Sequence, residues 1–349
     1  MKWIESLLLM PLAFTSFSCG KNSEDKTASS GETSVTTDNE AAHATIATSA
    51  DDAVEAIVED AASSASLAES GKTASATRTC EANATDGSAT VTTTHTLDGS
   101  ITKKVGVNEF TVTAKADGKE TRVWKKATAG SAITCKNDRA AIKWADNAEV
   151  DGLKLDINLN FSNSLKTTHK NTKKNTEKTK TRAAKVEGSR SITWAATGNT
   201  ENGTITRTRT LTSSVKRTIT FTNKEAKETT LESTVTTCAT SPLVSEVVRD
   251  STTFAWKTKT IKTGCLESKD KAGNITKTTF EALKFDKTAP CLPVSGSITA
   301  EVFASGSTTA ASKYTITFDS ETAYISKDSG EKTEFVDWNG QKCALADES

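Results

Sequence analysis

The chain has 349 residues, with 44 basic and 44 acidic side chains, so no global field draws it to nucleic acid. Hydrophobic residues make up only 35% and aromatics 5%, which excludes one large apolar core. Thin cores spread over about two or three small units are predicted instead.

The chain opens with Lys2, an apolar run from Leu7 to Phe14, small residues and Cys19. Such a run is too short to span a bilayer and has the layout of a secretory signal. With Ser16-Phe17-Ser18 before Cys19, it resembles a bacterial lipoprotein signal, although Ser16 stands where a leucine is usual. The resemblance implies cleavage after residue 18, a lipid on Cys19 and export to the cell envelope. Gly20 follows the cysteine in place of the aspartate that signals inner-membrane retention, which implies the outer membrane.

Residues 19–76 read as a tether, since the stretch to about Asn39 has almost no large apolar side chain. Within it, residues 51–67 carry Val54, Ile57, Val58 and Ala61 at helical spacing behind Asp51 and Asp52, the pattern of a short helix.

From Thr77 the signal becomes β. Asp86-Gly87, Asp98-Gly99 and Asp117-Gly118 each sit between Thr- and Val-rich runs and predict three hairpin turns in an antiparallel meander. Arg139–Asp146 is the one further candidate helix. Leu153, Leu155, Ile157, Leu159 and Phe161 alternate with polar residues, a strand with one buried face. Asn202-Gly203 marks another hairpin. Interleaved cations such as Arg207 and Arg209 between threonines read as guards against edge-to-edge association. The fold class is therefore all-β, divided as 77–183, 184–290 and a small unit, 291–349.

Near the end of the second unit, Asp270-Lys271-Ala272-Gly273-Asn274 is followed by a Thr-rich strand and Asp286-Lys287-Thr288-Ala289-Pro290. This resembles the end of a bacterial immunoglobulin-like repeat. The resemblance implies a β-sandwich in which that turn joins the last two strands, with a linker to the next module.

Seven cysteines are present. If Cys19 carries lipid, an even set remains: Cys80, Cys135, Cys238, Cys265, Cys291 and Cys343. An even remainder behind an export signal predicts disulfides, and pairing of sequence neighbours keeps each bond inside one unit. No close C-x-x-C spacing suggests zinc.

Catalytic machinery is hard to find. His43, His95 and His169 are scattered, and no nucleophile, metal-protease or phosphate-loop motif occurs. No catalytic residue, metal or cofactor is expected. The sharpest charge feature is a run of Lys166, Lys170, Lys173, Lys174, Lys178, Lys180, Arg182 and Lys185, interrupted by Glu177 alone. It reads as a basic loop that either contacts an anionic surface such as lipopolysaccharide or acidic lipid, or is simply a solvated connection. Trp124, Trp144, Trp194, Trp256 and Trp338 read as core anchors, about one per sheet, with Trp338 the best candidate for stacking on a glycan. The resulting expectation is an envelope lipoprotein that binds, adheres or spaces. Its partners would be the membrane, an envelope protein or a glycan. A carrier of a hydrophobic ligand and a hydrolase are the rivals.

Overall fold

The computed structural model describes residues 74–126, 132–144, 146–199, 203–223, 227–287, 293–319 and 322–334. Cys19, the possible helix 51–67, Cys291, Cys343 and Trp338 lie outside them. Among the described residues the protein is all-β, built from β1 (Ala74–Asn83), β2 (Ser88–Val105), β3 (Asn108–Lys126), β4 (Thr134–Lys136), β5 (Arg139–Ala141), β6 (Leu153–Asn171), β7 (Thr176–Asn199) and β8 (Thr204–Thr222). There follow β9 (Glu228–Thr237), β10 (Leu243–Asp250), β11 (Trp256–Asp270), β12 (Ile275–Asp286), β13 (Ser295–Phe303), β14 (Ser312–Phe318), β15 (Ala323–Lys327) and β16 (Thr333–Glu334). The one helix among the described residues, α1 (Asn147–Val150), is a single turn.

β4 and β5 form a separate hairpin, and the other fourteen strands make one sheet. Every pairing is antiparallel and joins chain neighbours, except that β3 pairs with β6 across the β4–β5 insertion, β8 with β10 and β9 with β11. β9 and β10 occupy a single lane between β8 and β11. Glu228–Thr236 pairs with Thr222–Ser214, and Leu243–Asp250 continues along Leu211–Thr204. The lane breaks at Cys238–Ser241, and there a disulfide ties Cys238 to Cys265 on β11, Cα atoms 5.3 Å apart. The sheet runs unbroken through residue 184, inside β7, and β13 extends it beside β12. The turn Asp270–Asn274 joins β11 to β12, its Asp270 carboxylate accepting from the Asn274 backbone N–H and side-chain amide.

One face of this sheet buries a continuous core from Ala89 and Val91 on β2 to Ile316 and Ile325 on β14 and β15. Burial this complete needs a covering layer, and among the described residues the four-residue helix is too small to supply one. There the sheet rolls around its own inward side chains, which form one core. The segment between β3 and β6 closes one end. Cys135 on β4 is bonded to Cys80 on β1, Ile133 donates its N–H to the Gly87 carbonyl, and Asp146 caps α1 by accepting from the Ala148 N–H. Trp144 from this segment stands edge-on to both Trp124 and Trp194, which stack on each other at 5.7 Å.

The roll does not extend the full length of the longest strands. β2, β3, β6 and β7 have 18 to 24 residues, several times the usual strand. Beyond the level of Phe161 their ends, with those of β8 and β9, stand free among the described residues as a single layer roughly 34 Å tall, hereafter the blade. Its outward face is laced by cross-strand hydroxyl pairs, Ser100 with Thr113, Thr102 with Thr111, and Thr168 with Thr179.

Several expectations need correction. Asp98-Gly99 and Asp117-Gly118 are not turns: they lie inside β2 and β3, paired with Lys115-Ala114 and Ser162-Phe161. The turn between those strands is Gly106-Val107, with Gly106 at φ +59. Gly118 is there because the Phe161 ring lies over it; a Cβ would sit 2.0 Å from the ring. Arg139–Asp146 is not a helix, since Arg139–Ala141 pairs with Thr134–Lys136 and the helical turn begins only after Asp146. Arg207 and Arg209 do not guard an exposed edge, because on β8 the threonines face out and these arginines face in, 5% and 3% exposed. Three tryptophans meet in one cluster instead of serving separate sheets.

Gly118→Ala should destabilise the protein by about 1–3 kcal/mol through overpacking against Phe161. In a Phe161→Ala background the same substitution should cost far less, as denaturant unfolding of the four-member cycle will measure.

Candidate anionic-surface interface

The basic run is not a loop. Lys166 and Lys170 lie on β6, Lys178, Lys180, Arg182 and Lys185 on β7, and only Lys173 and Lys174 occupy the four-residue turn between these strands. All are in the free-standing blade, where β6 pairs residue for residue with β7 from Lys154↔Thr193 to Asn171↔Thr176. Strand alternation divides the cations. Lys166, Lys170 and Lys185 face outward, whereas Lys178, Lys180 and Arg182 face the side continuous with the core. Arg182 lies over the Phe221 ring at 5.2 Å, and its partial burial lowers its pKa. Lys185 pairs with Glu187 at 2.6 Å.

What the fold does gather is the tip. The Val107 carbonyl accepts from both the Thr172 N–H (2.9 Å) and the Thr172 hydroxyl (3.0 Å), binding the β2–β3 turn to the β6–β7 turn. The Asn108 side-chain oxygen accepts from the Asn171 amide at 2.9 Å and lies 3.1 Å from His169 Nε2. The His169 ring stacks on Phe110 at 4.6 Å. Around these two turns stand Lys104, Lys170, Lys173, Lys174 and Lys178, against Glu109 and Glu177. Lys104 is ion-paired to Glu109 at 3.2 Å, yet its side chain is 75% exposed.

Val105, Val107 and Phe110 are exposed here at 54%, 44% and 40%. Sequence reasoning missed them. The signal was present as Val105-Gly106-Val107, an apolar triplet beside Lys103-Lys104 at a turn, where polar residues are the norm.

Two other charged regions lie nearer the core. Arg207 sits over Trp144 and Phe254 and donates to the Trp144 carbonyl, while Arg209 sits over Trp194. Phe254 has φ +63, a strained conformation in the β10–β11 turn. Asp250 holds that turn by accepting from the Thr252 and Thr253 N–H groups, and these bonds keep its carboxyl well below the usual carboxylate range. At the base of the blade, His95 leans on the Phe161 ring at 5.7 Å with Glu120, Arg78 and Arg122 around it. Burial lowers its pKa, opposed by Glu120 and assisted by the two arginines. The outward face of the blade also holds a shallow trough of about 890 Å³, whose walls include Thr96, Asp98, Lys115, Ser162 and Thr218. Among the described residues no group of three or more His, Cys, Asp or Glu side chains could hold a metal ion.

No family model matches the chain, and neither a curated protein nor a solved structure matches it.

The depressed His95 pKa has a definite sign. The unfolded chain takes up a proton near 6.5 while the folded protein resists it, so stability is flat above that pH and falls below it. Thermal melting should therefore drop between pH 7 and pH 5, estimated from the ordinary titration range of histidine, about 6.5. The drop should be smaller in His95→Gln.

Proposed function

We propose that this protein is an exported, lipid-anchored envelope protein that binds an anionic surface through its blade, with no catalytic role. The observation that carries this reading is the position of the basic run, on a hairpin held away from a disulfide-pinned core. Arg182 is engaged with Phe221 and Lys185 with Glu187, while the lysines at and beside the β6–β7 turn, Lys170, Lys173, Lys174 and Lys178, stand at the projecting end where a partner can reach them. The pairing of Cys80 with Cys135 and Cys238 with Cys265 supports an oxidising compartment. The signal-like start with Cys19 supports the anchor, and Gly20 supports the outer membrane. Adhesion and spacing are the two uses that a rigid projecting sheet fits; a glycan or an envelope protein is the kind of partner that could stand behind the anionic surface.

The reading is tested on the mature chain taken from membranes. Its intact mass should begin at Cys19 with an added lipid, and its described cysteines should resist alkylation until reduced. Replacing Lys170, Lys173, Lys174 and Lys178 by glutamine should weaken adsorption to isolated envelopes and flatten its salt dependence, since surface charges act through a screened field. Unchanged, salt-insensitive adsorption would remove the basic hairpin from the function.

A further inference from the structure

Resting on the reading of the blade as the binding element, we infer that its tip docks into the interface of an anionic lipid bilayer, with Val105, Val107 and Phe110 entering the headgroup layer and the surrounding lysines holding lipid phosphates. Isolated exposed apolar residues are ordinary on protein surfaces. These three are not isolated: they belong to one turn and the strand that leaves it, and no other large hydrophobic among the described residues is as exposed except Leu231, also on the blade. The turn is tied to its neighbour: the Val107 carbonyl accepts from two donors of Thr172, and Asn108 is bonded to Asn171. Phe110 is braced by His169.

Charge complementarity selects the occupant. Here the apolar residues are ringed by Lys104, Lys170, Lys173, Lys174 and Lys178, with Glu109 and Glu177 as the acidic side chains beside the two turns, a positive excess that fits an anionic partner. An apolar tip inside a basic ring matches the layered chemistry of a bilayer, acyl chains beneath phosphates. At the tip five lysines stand against two glutamates even with Lys104 paired to Glu109. Lower on the blade Lys115 pairs with Asp98 and Lys185 with Glu187, so an excess of positive charge lies at the end that would meet the surface. Glu81, Glu187 and Glu232 stand farther back and would not be brought into the headgroup layer.

The test is co-sedimentation of the mature chain from residue 19, with Cys19→Ala so that no lipid is attached, with vesicles of phosphatidylcholine, with and without phosphatidylglycerol, over a range of salt. The native protein should bind only the anionic vesicles. Lys173→Gln/Lys174→Gln should bind about 25-fold more weakly, at about fivefold per lysine. Val105→Ser/Val107→Ser should bind about tenfold more weakly with the salt slope unchanged, because it removes burial and not charge. Its melting curve, compared with that of the native protein, reports whether the tip still folds. If the lysine pair matters and the valine pair does not, the tip touches phosphates without entering the bilayer: the inference fails and the anionic-surface reading stands. Binding to isolated lipopolysaccharide but to no vesicle would have the same meaning. Loss of both lysine and valine effects, on vesicles and envelopes alike, would overturn both.

Discussion

A sheet must cover its apolar face, and among the described residues there is almost nothing but the sheet with which to do it. That constraint shapes the molecule. Leu153, Leu155 and Ile157 on β6, Ile192 and Trp194 on β7, and Phe280 and Ile316 on the far strands are shielded because the layer turns back on itself. Where the roll is incomplete, the insertion between β3 and β6 fills the gap with Trp144. The Trp124–Trp144–Trp194 contact is thus the joint between the curved sheet and its lid. Arg207 and Arg209 complete it by laying guanidinium groups on ring faces, a way to bury cations beside aromatic π clouds.

Above the joint the constraint is met differently. Among the described residues the blade has no second layer, so its strands rely on backbone pairing, threonine hydroxyl contacts and long side chains that shade their neighbours. Gly118 and Gly188 lie at the level where one regime gives way to the other, flanking Leu159 and Phe161 on β6. A side chain at Gly188 would strike the Ser214 carbonyl, and one at Gly118 the Phe161 ring. Small residues at that level allow close strand approach and a change of curvature, the role of glycine kinks in curved sheets. The cost of a single wet layer is low apolar burial, and that is the composition the chain has.

Much of the fold was legible because β patterns are local. The alternation from Leu153 to Phe161, the turn at Gly87, the turn at Gly203 and the neighbour pairing of Cys80 with Cys135 and Cys238 with Cys265 all appear as expected. The failures share a cause. Asp-Gly at residues 98–99 and 117–118 has the same letters as a turn, and only the strand opposite shows that Gly118 makes room for a ring. Arg207 and Arg209 look solvent-facing unless Trp194 and Trp144 are known to lie beneath them. The site was half legible: charge density marked residues 166–185, but not that they form a rigid hairpin. That Val107 shares its tip depends on pairing between β3 and β6, whose paired segments lie dozens of residues apart in the chain.

The disulfide between Cys80 and Cys135 also has a mechanical meaning. β1 lies at an edge of the sheet, in the geometry where tension peels strands one hairpin at a time. A pull entering at Ala74 reaches Cys80 after a few residues and then passes through the sulfur bridge to Cys135. The whole of β2 and β3, with the Gly106-Val107 turn, is left out of the load path. Cys238 and Cys265 provide a second such bypass around β10. A chain held at its amino-terminal end and pulled from any point after Cys135 would therefore keep β2 and β3 folded under forces that unzip unbridged sheets.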